Sequence, residues 1–170
     1  MKNSKHLIFA DLQAKPSNTE VAVNVMDQII EYVKDNEIKK VFFLGDLFET
    51  KRYIEITCFN EIFKKMHELS GYIDNLYMLV GNHDLALKNS FTNNERETSM
   101  DSLFPFAKII KRKEEITADK INYVCIPFQK DVYAMRNDFL ESSREIEDNG
   151  KFNILLFHTE YNEFSYGHVS

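Results

Sequence analysis

The segment Leu76–Leu85 reads LYMLVGNHDL. Its first five residues are apolar or aromatic without a break, the pattern of a strand covered on both faces. A glycine stops the run. An amide, an imidazole and a carboxylate then follow in succession at Asn82, His83 and Asp84. Such a trio adds nothing to a hydrophobic core, so its place directly after a buried strand marks a loop that carries chemistry.

The same grammar recurs on either side. HLIFA (His6–Ala10) runs into Asp11, KVFFL (Lys40–Leu44) passes Gly45 into Asp46, and NILLF (Asn153–Phe157) runs into His158. AKIIK (Ala107–Lys111) and NYVCI (Asn122–Ile126) read as two further strands. Amphipathic segments lie between them. Ala22, Met26, Ile29, Ile30 and Val33 recur at helical spacing within Thr19–Asp35, and SNTE (Ser17–Glu20), with Pro16 just outside, reads as its capping box. A second helix spans about Ile54–Leu69, with the stripe Phe59, Ile62, Phe63 and Met66 facing a core and Gly71 as its C′ residue. Val132–Glu147 is a weaker third helix, and the aperiodic Lys88–Met100 segment reads as a loop. Strands alternating with helices predict a layered α/β domain.

Bulk properties narrow the class. A chain of 170 residues, 44% hydrophobic and 28% charged, fits one soluble domain with a real core. No apolar run is long enough to span a bilayer, and the amino terminus has no secretory h-region; the expected location is the cytoplasm. Cys58 and Cys125 have no CxxC spacing and apolar neighbours, so both are expected to be buried thiols. The net charge of −6 disfavours a general nucleic-acid coat. It remains compatible with a nuclease, because a carboxylate-lined cation site is acidic until the cation binds.

Asp11, Asp46, Asn82 and His158 each close a different strand. Sites in α/β sheets form just beyond the carboxyl ends of strands, so parallel neighbours would bring the four to one rim. Two carboxylates, an amide oxygen and an imidazole form a mixed O/N set that suits divalent cations such as manganese, iron or zinc, rather than a thiolate-type structural zinc. A carboxylate such as Asp46 can bridge two cations, and a pair of cations about 4 Å apart can clamp a phosphate and acidify a water. His83 follows a ligand directly and is expected to face substrate instead. Plainer readings exist: strand-end aspartates are common loop caps, and His158 could be a simple rim histidine. His6 and His67 read as structural or solvated, with the charge of His67 suiting the end of its helix. KRKEE (Lys111–Glu115) reads as a solvated turn, and Tyr161, Phe164 and Tyr166 as base-stacking or packing residues.

Taken together and in order, DLQ (Asp11–Gln13), GDLFE (Gly45–Glu49), GNHDL (Gly81–Leu85) and FHTE (Phe157–Glu160) resemble the calcineurin-like metallophosphoesterase superfamily from Lys5 through Glu160. FLGDLFETKRYI, VGNHDLALKN, TSMDSLF, INYVCIPF and LLFHTEYNEFSYG look most like the nuclease subunit of SbcCD-type and phage recombination nucleases. The resemblance implies a layered β-sandwich flanked by helices, one domain over residues 1–170 that is shortened at its C-terminus. It implies two divalent cations, Mn²⁺ first, with Mg²⁺, Fe²⁺ or Zn²⁺ as alternatives. Asp11 would bind the first, Asp46 would bridge, and Asn82 and His158 would bind the second. His83 would be catalytic, with Glu49 and Asp84 as hydrogen-bonding supports. DNA would be the substrate, an SMC-like ATPase the partner subunit, and a homodimer is compatible; no membrane is involved.

Two departures qualify this. The family's first motif is Asp-x-His, whereas here the third residue is Gln13, whose neutral amide is a weaker ligand for a transition metal; the first site is expected to be weak. The family's late Gly-His-x-His motif is matched only in part by Gly167-His168-Val169-Ser170, with His168 ten positions after His158, and this reads as a chance match. The expectation is a metal-dependent phosphodiesterase acting as a DNA exo- or endonuclease. A catalytically degenerate module working through metal or protein binding is the alternative, and a small-molecule phosphoesterase a weaker one.

Overall fold

A computed structural model describes residues 5–49, 53–85, 100–145 and 152–159. Most of the expected loop Lys88–Met100, and Glu147, Glu160, Tyr161, Phe164, Tyr166 and His168, lie outside the described residues. Seven strands are seen among the described residues: β1 (His6–Phe9), β2 (Lys40–Phe43), β3 (Asn75–Leu79), β4 (Lys108–Ile110), β5 (Glu114–Ala118), β6 (Ile121–Ile126) and β7 (Phe152–Phe157). The helices are α1 (Thr19–Asp35), α2 (Ile56–Ser70), the short α3 (Met100–Leu103) and α4 (Val132–Glu145). No helix among the described residues is long and apolar enough to cross a membrane.

The strands form two sheets, ordered β1-β2-β3-β4 and β5-β6-β7. All four strands of the first are parallel. In the second, β6 runs antiparallel to β5 and parallel to β7. The side-chain period of two sorts β2 between two cores. Val41 and Phe43 join Met26, Val33, Ile62 and Met66 beneath α1 and α2. Phe42 points the other way, into a core with Leu79, Ile110, Tyr123, Cys125 and Leu156 that joins the two sheets. Its ring lies 4.3 Å from the Tyr123 ring and 4.8 Å from that of Tyr77. Burying one such side chain contributes about 1.5–3 kcal/mol. Helices, sheet and sheet make the expected layered α/β sandwich, and α4 packs on β6.

Register positions the functional end. Phe9 pairs with Phe43, and Phe43 with Met78, so β1, β2 and β3 finish level. Phe157 pairs with Ile126 in the other sheet. The four strand-end groups therefore do not share one parallel rim: His158 arrives from the second sheet and meets the others across the sandwich.

Three local expectations are corrected. SNTE does not form a capping box: Pro16–Asn18 is a 3₁₀ turn, whose start is closed by the Lys15 N–H donating to Asn18 Oδ1 at 2.8 Å and the Thr19 hydroxyl donating to the Lys15 carbonyl at 2.9 Å. Gly71 has φ −71°, so the second helix ends without a left-handed residue. KRKEE is not all turn, because Glu114 and Glu115 begin β5. There Ile116 and Ala118 are buried while Glu115 and Thr117 are exposed, the alternation of a strand with one wet face.

Candidate metal centre

The loops after β1 and β2 are laced together by their backbones. The N–H groups of Asp11, Gln13 and Ala14 donate to the carbonyls of Gly45, Asp46 and Leu47 at 3.1, 3.0 and 2.9 Å. Asp11, Gln13 and Asp46 take φ values of 55°, 44° and 60°, three of the five non-glycine positive-φ residues among those described. Each such residue costs about 1–2 kcal/mol, and strain gathered this way marks functional loops. Gly45, at φ 102°, faces the loop after β3 so closely that a Cβ there would stand 2.7 Å from Gly81 Cα. A Cβ on Gly81 would stand 2.6 Å from Asp46 N. Only glycine at both positions lets the two loops touch.

Asp84 binds those loops into one unit. Its Oδ2 accepts the N–H groups of Asp46 and Gly81 at 2.8 and 2.9 Å, and its Oδ1 accepts that of Leu47 at 3.3 Å. Burial pushes its carboxyl above the usual value, against the pull of those three donors.

Within this frame the structure brings Asp11, Asp46 and His158 together, with one ligand atom of each within 4.8 Å of the others. Asp46 is buried, and its Oδ1 accepts the His83 N–H at 2.8 Å. Its Oδ2 faces His158 Nε2 at 3.5 Å and His83 Nε2 at 3.9 Å. Asn82, also buried, presents Oδ1 to His158 Nε2 at 2.9 Å.

The His158 ring is informative. Its Nδ1 lies 2.6 Å from the Leu44 carbonyl; a carbonyl only accepts, so Nδ1 carries the hydrogen. In the neutral ring Nε2 then bears a lone pair, aimed at two oxygens. That arrangement is favourable with a proton or a bound cation at Nε2, or with the Asn82 amide turned so that its Nδ2 donates to the lone pair. Burial alone would lower the His158 pKa, but hydrogen bonding to Asp46 and Leu44 outweighs it and raises it above 6.5. Burial would likewise raise the Asp46 carboxyl, but bonding to His158 and the His83 N–H outweighs it and holds the value below 3.8. The donor set, two carboxylates with an amide oxygen and a tautomer-fixed imidazole, fits a divalent cation.

His83 is oriented separately. Its Nδ1 lies against the Glu49 carbonyl, leaving Nε2 toward Asp46. Glu49 thus meets His83 through its backbone, while its carboxylate pairs with Lys15 Nζ at 2.5 Å. Sequence reading missed Lys15, since no motif signals a contact 34 positions away. Gln13 is exposed and tied in through its backbone: its N–H reaches Asp46 and its carbonyl accepts from Asn18 Nδ2 at 3.2 Å. His6 and His67 lie elsewhere. His6 Nδ1 is 2.5 Å from the Tyr123 hydroxyl, joining β1 to β6. His67, in the last turn of α2, stacks on Phe63.

A family model described as calcineurin-like phosphoesterase matches residues 5–169. No curated protein is similar in sequence to the chain. Among solved structures, a dimetal phosphatase from Danio rerio is similar at 12% identity and a TM-score of 0.47, over 81% of this chain and 50% of that one. The nuclease MPE of Pseudomonas putida is similar at 14% identity and a TM-score of 0.42, over 71% of this chain and 51% of that one. The chain spans about half the length of these two structures.

Proposed function

The chain belongs to the calcineurin-like phosphoesterase family, and from that premise we propose that it is a metal-dependent phosphodiesterase, acting on DNA as a nuclease of the SbcCD type. One observation supports the metal dependence most: Asp11, Asp46 and His158 each bring a ligand atom within 4.8 Å of the others. Asp11, Asp46, Asn82 and His158 would hold the cations, of which Mn²⁺ is the proposed species, and Gln13 would contribute weakly beside Asp11. Such cations, when bound, supply Lewis acidity, neutralising phosphate charge and acidifying water.

The chain's own residues do the rest. Asp84 and the paired glycines hold the Asp46 carboxylate in place. The Leu44 carbonyl keeps the hydrogen of His158 on Nδ1, so that Nε2 is the ligand atom. The Glu49 carbonyl accepts the Nδ1 hydrogen of His83, and in the doubly protonated ring the Nε2–H would stabilise charge on the phosphoryl group or pass its proton to the leaving oxygen, leaving the neutral imidazole. An SMC-like ATPase subunit and a homodimer are the proposed partners.

Incubating the purified chain and Mn²⁺ with single-stranded DNA, double-stranded DNA and bis-(p-nitrophenyl) phosphate tests this. Turnover should require Mn²⁺ and vanish in Asp46→Ala. His83→Ala should slow it by about 10²–10⁴-fold, the usual range for a positioned acid–base group, while Mn²⁺ still binds. Gln13, standing where the family has histidine, favours one rival, a module that binds metal without turnover. Calorimetric Mn²⁺ binding with no hydrolysis of any of the three substrates would select that rival. Absence of both binding and hydrolysis would refute the two together.

A further inference from the structure

We infer that the recess beside Asp11 is a substrate subsite for one uncharged aromatic ring, the base or aryl group of a phosphoester; this rests on the phosphoesterase reading above. The recess has a volume of about 200 Å³ and lies between the end of β1 and the first half of α1. Asp11 belongs both to its lining and to the cluster it forms with Asp46 and His158. A substrate whose phosphorus stands at that cluster therefore has a substituent within reach of the recess.

The lining decides what that substituent is. Phe9, Leu12, Val21, Val25 and Ile29 make the walls apolar. Val21 and Val25, one turn apart on α1, are 63% and 39% exposed. A ring laid against them removes apolar surface from water on both sides, and Phe9 adds an aromatic partner. Among the described lining residues none is a cation, and Asp11 is the one ionisable group. Among these residues a second phosphate would stand beside a carboxylate with no counter-charge, so they favour an uncharged ring over a nucleic-acid backbone. Asn18 is the one neutral polar side chain among the described lining residues; beyond its bonds to the Lys15 N–H and the Gln13 carbonyl it keeps one N–H and one lone pair. The apolar walls select a flat shape, and stacking of this kind tolerates any base. The volume is below that of sites for drug-sized ligands; it holds a single ring system, such as the unpaired terminal base of a strand, and not a base pair.

Phenylphosphonate and methylphosphonate, which cannot be hydrolysed as esters, separate ring from phosphoryl group. Each is titrated into the whole chain with Mg²⁺ present, following the methyl NMR signals of Val21, Val25 and Ile29. Phenylphosphonate should bind at least tenfold more tightly than methylphosphonate and shift these signals. Val25→Gln should remove that advantage, with Val21→Gln, at the more exposed position, as the second variant. Equal affinities, or a ring advantage that survives both substitutions, would overturn the subsite. If neither phosphonate binds, the phosphoesterase reading fails at the cation site. Benzyl alcohol then decides the recess by itself, and an absence of shift at the three methyl-bearing residues rejects it.

Discussion

Replacing Gly45 by alanine probes the contact on which the site is built. The new Cβ would stand 2.7 Å from both Cα and N of Gly81 and 2.9 Å from His158 Nδ1, so backbone or the His158 ring must move. The residue would also keep a φ near 102°. Left-handed backbone costs about 1–2 kcal/mol and overpacking about 1–3 kcal/mol, so the expected loss is roughly 2–5 kcal/mol, out of a total stability of about 5–15 kcal/mol. For a chain of this size that lowers Tm by about 4–20 °C. Gly71→Ala is the internal control. Its φ is −71°, and a Cβ there meets only the Glu68 carbonyl, at 3.3 Å. Alanine should change stability by between about 0 and +1 kcal/mol, because it restricts the unfolded chain. Both variants are melted by circular dichroism and titrated with Mn²⁺ by calorimetry, and Gly45→Ala alone should lose affinity. A Gly45→Ala protein melting within about 2 °C of the parent, or a Gly71→Ala protein as damaged as Gly45→Ala, would refute the packing argument.

Other outcomes follow from the same geometry. Asp84→Ala leaves three backbone N–H groups without their acceptor, at about 1 kcal/mol or more each, so urea unfolding should show a loss of about 3 kcal/mol together with weaker Mn²⁺ binding; a loss under about 1 kcal/mol would contradict the clamp. A proton and a cation compete for His158 Nε2, so Mn²⁺ affinity should climb with pH through the raised His158 value, and calorimetry at several pH values showing a flat affinity would tell against that ligand. Without metal, the His158 contribution to stability is fully present below pH 6.5 and is lost as pH rises through its folded value. The Asp46 contribution is present above pH 3.8 and is lost as pH falls. Metal-free Tm should therefore peak in mild acid, and an unchanged profile in His158→Ala would exclude this pair as the cause. Burial pushes the Cys125 thiol up to about 12, and Cys58 is buried as well; Ellman's reagent should label neither until the chain unfolds, and rapid labelling of the native protein would be the contrary result.

How legible each part was depended on whether its signal is local. The expected and observed limits of α1 coincide, because an amphipathic period of 3.6 is written along one segment. The buried strands β2 and β3 announced themselves as unbroken apolar runs. β5 escaped because EEITA buries only alternate residues and opens with charge. Asp11, Asp46, Asn82, His83 and His158 stood out as polar groups directly after such runs. The glycines before Asp46 and Asn82 were visible too, but the reason for them was not, since Gly45 and Gly81 touch each other across two loops.

From the sequence alone come the strand ends, the helix faces and the identity of the groups placed just past each strand, because chain connectivity and side-chain pattern act over a few residues. Only the tertiary structure decided that His158 enters from the second sheet, that a carbonyl 114 positions away holds its tautomer, and that Asp84 joins loops 37 and 38 positions apart. Those contacts depend on strand register and on how two sheets pack face to face. Both are properties of the assembled core, and no single segment of chain encodes them.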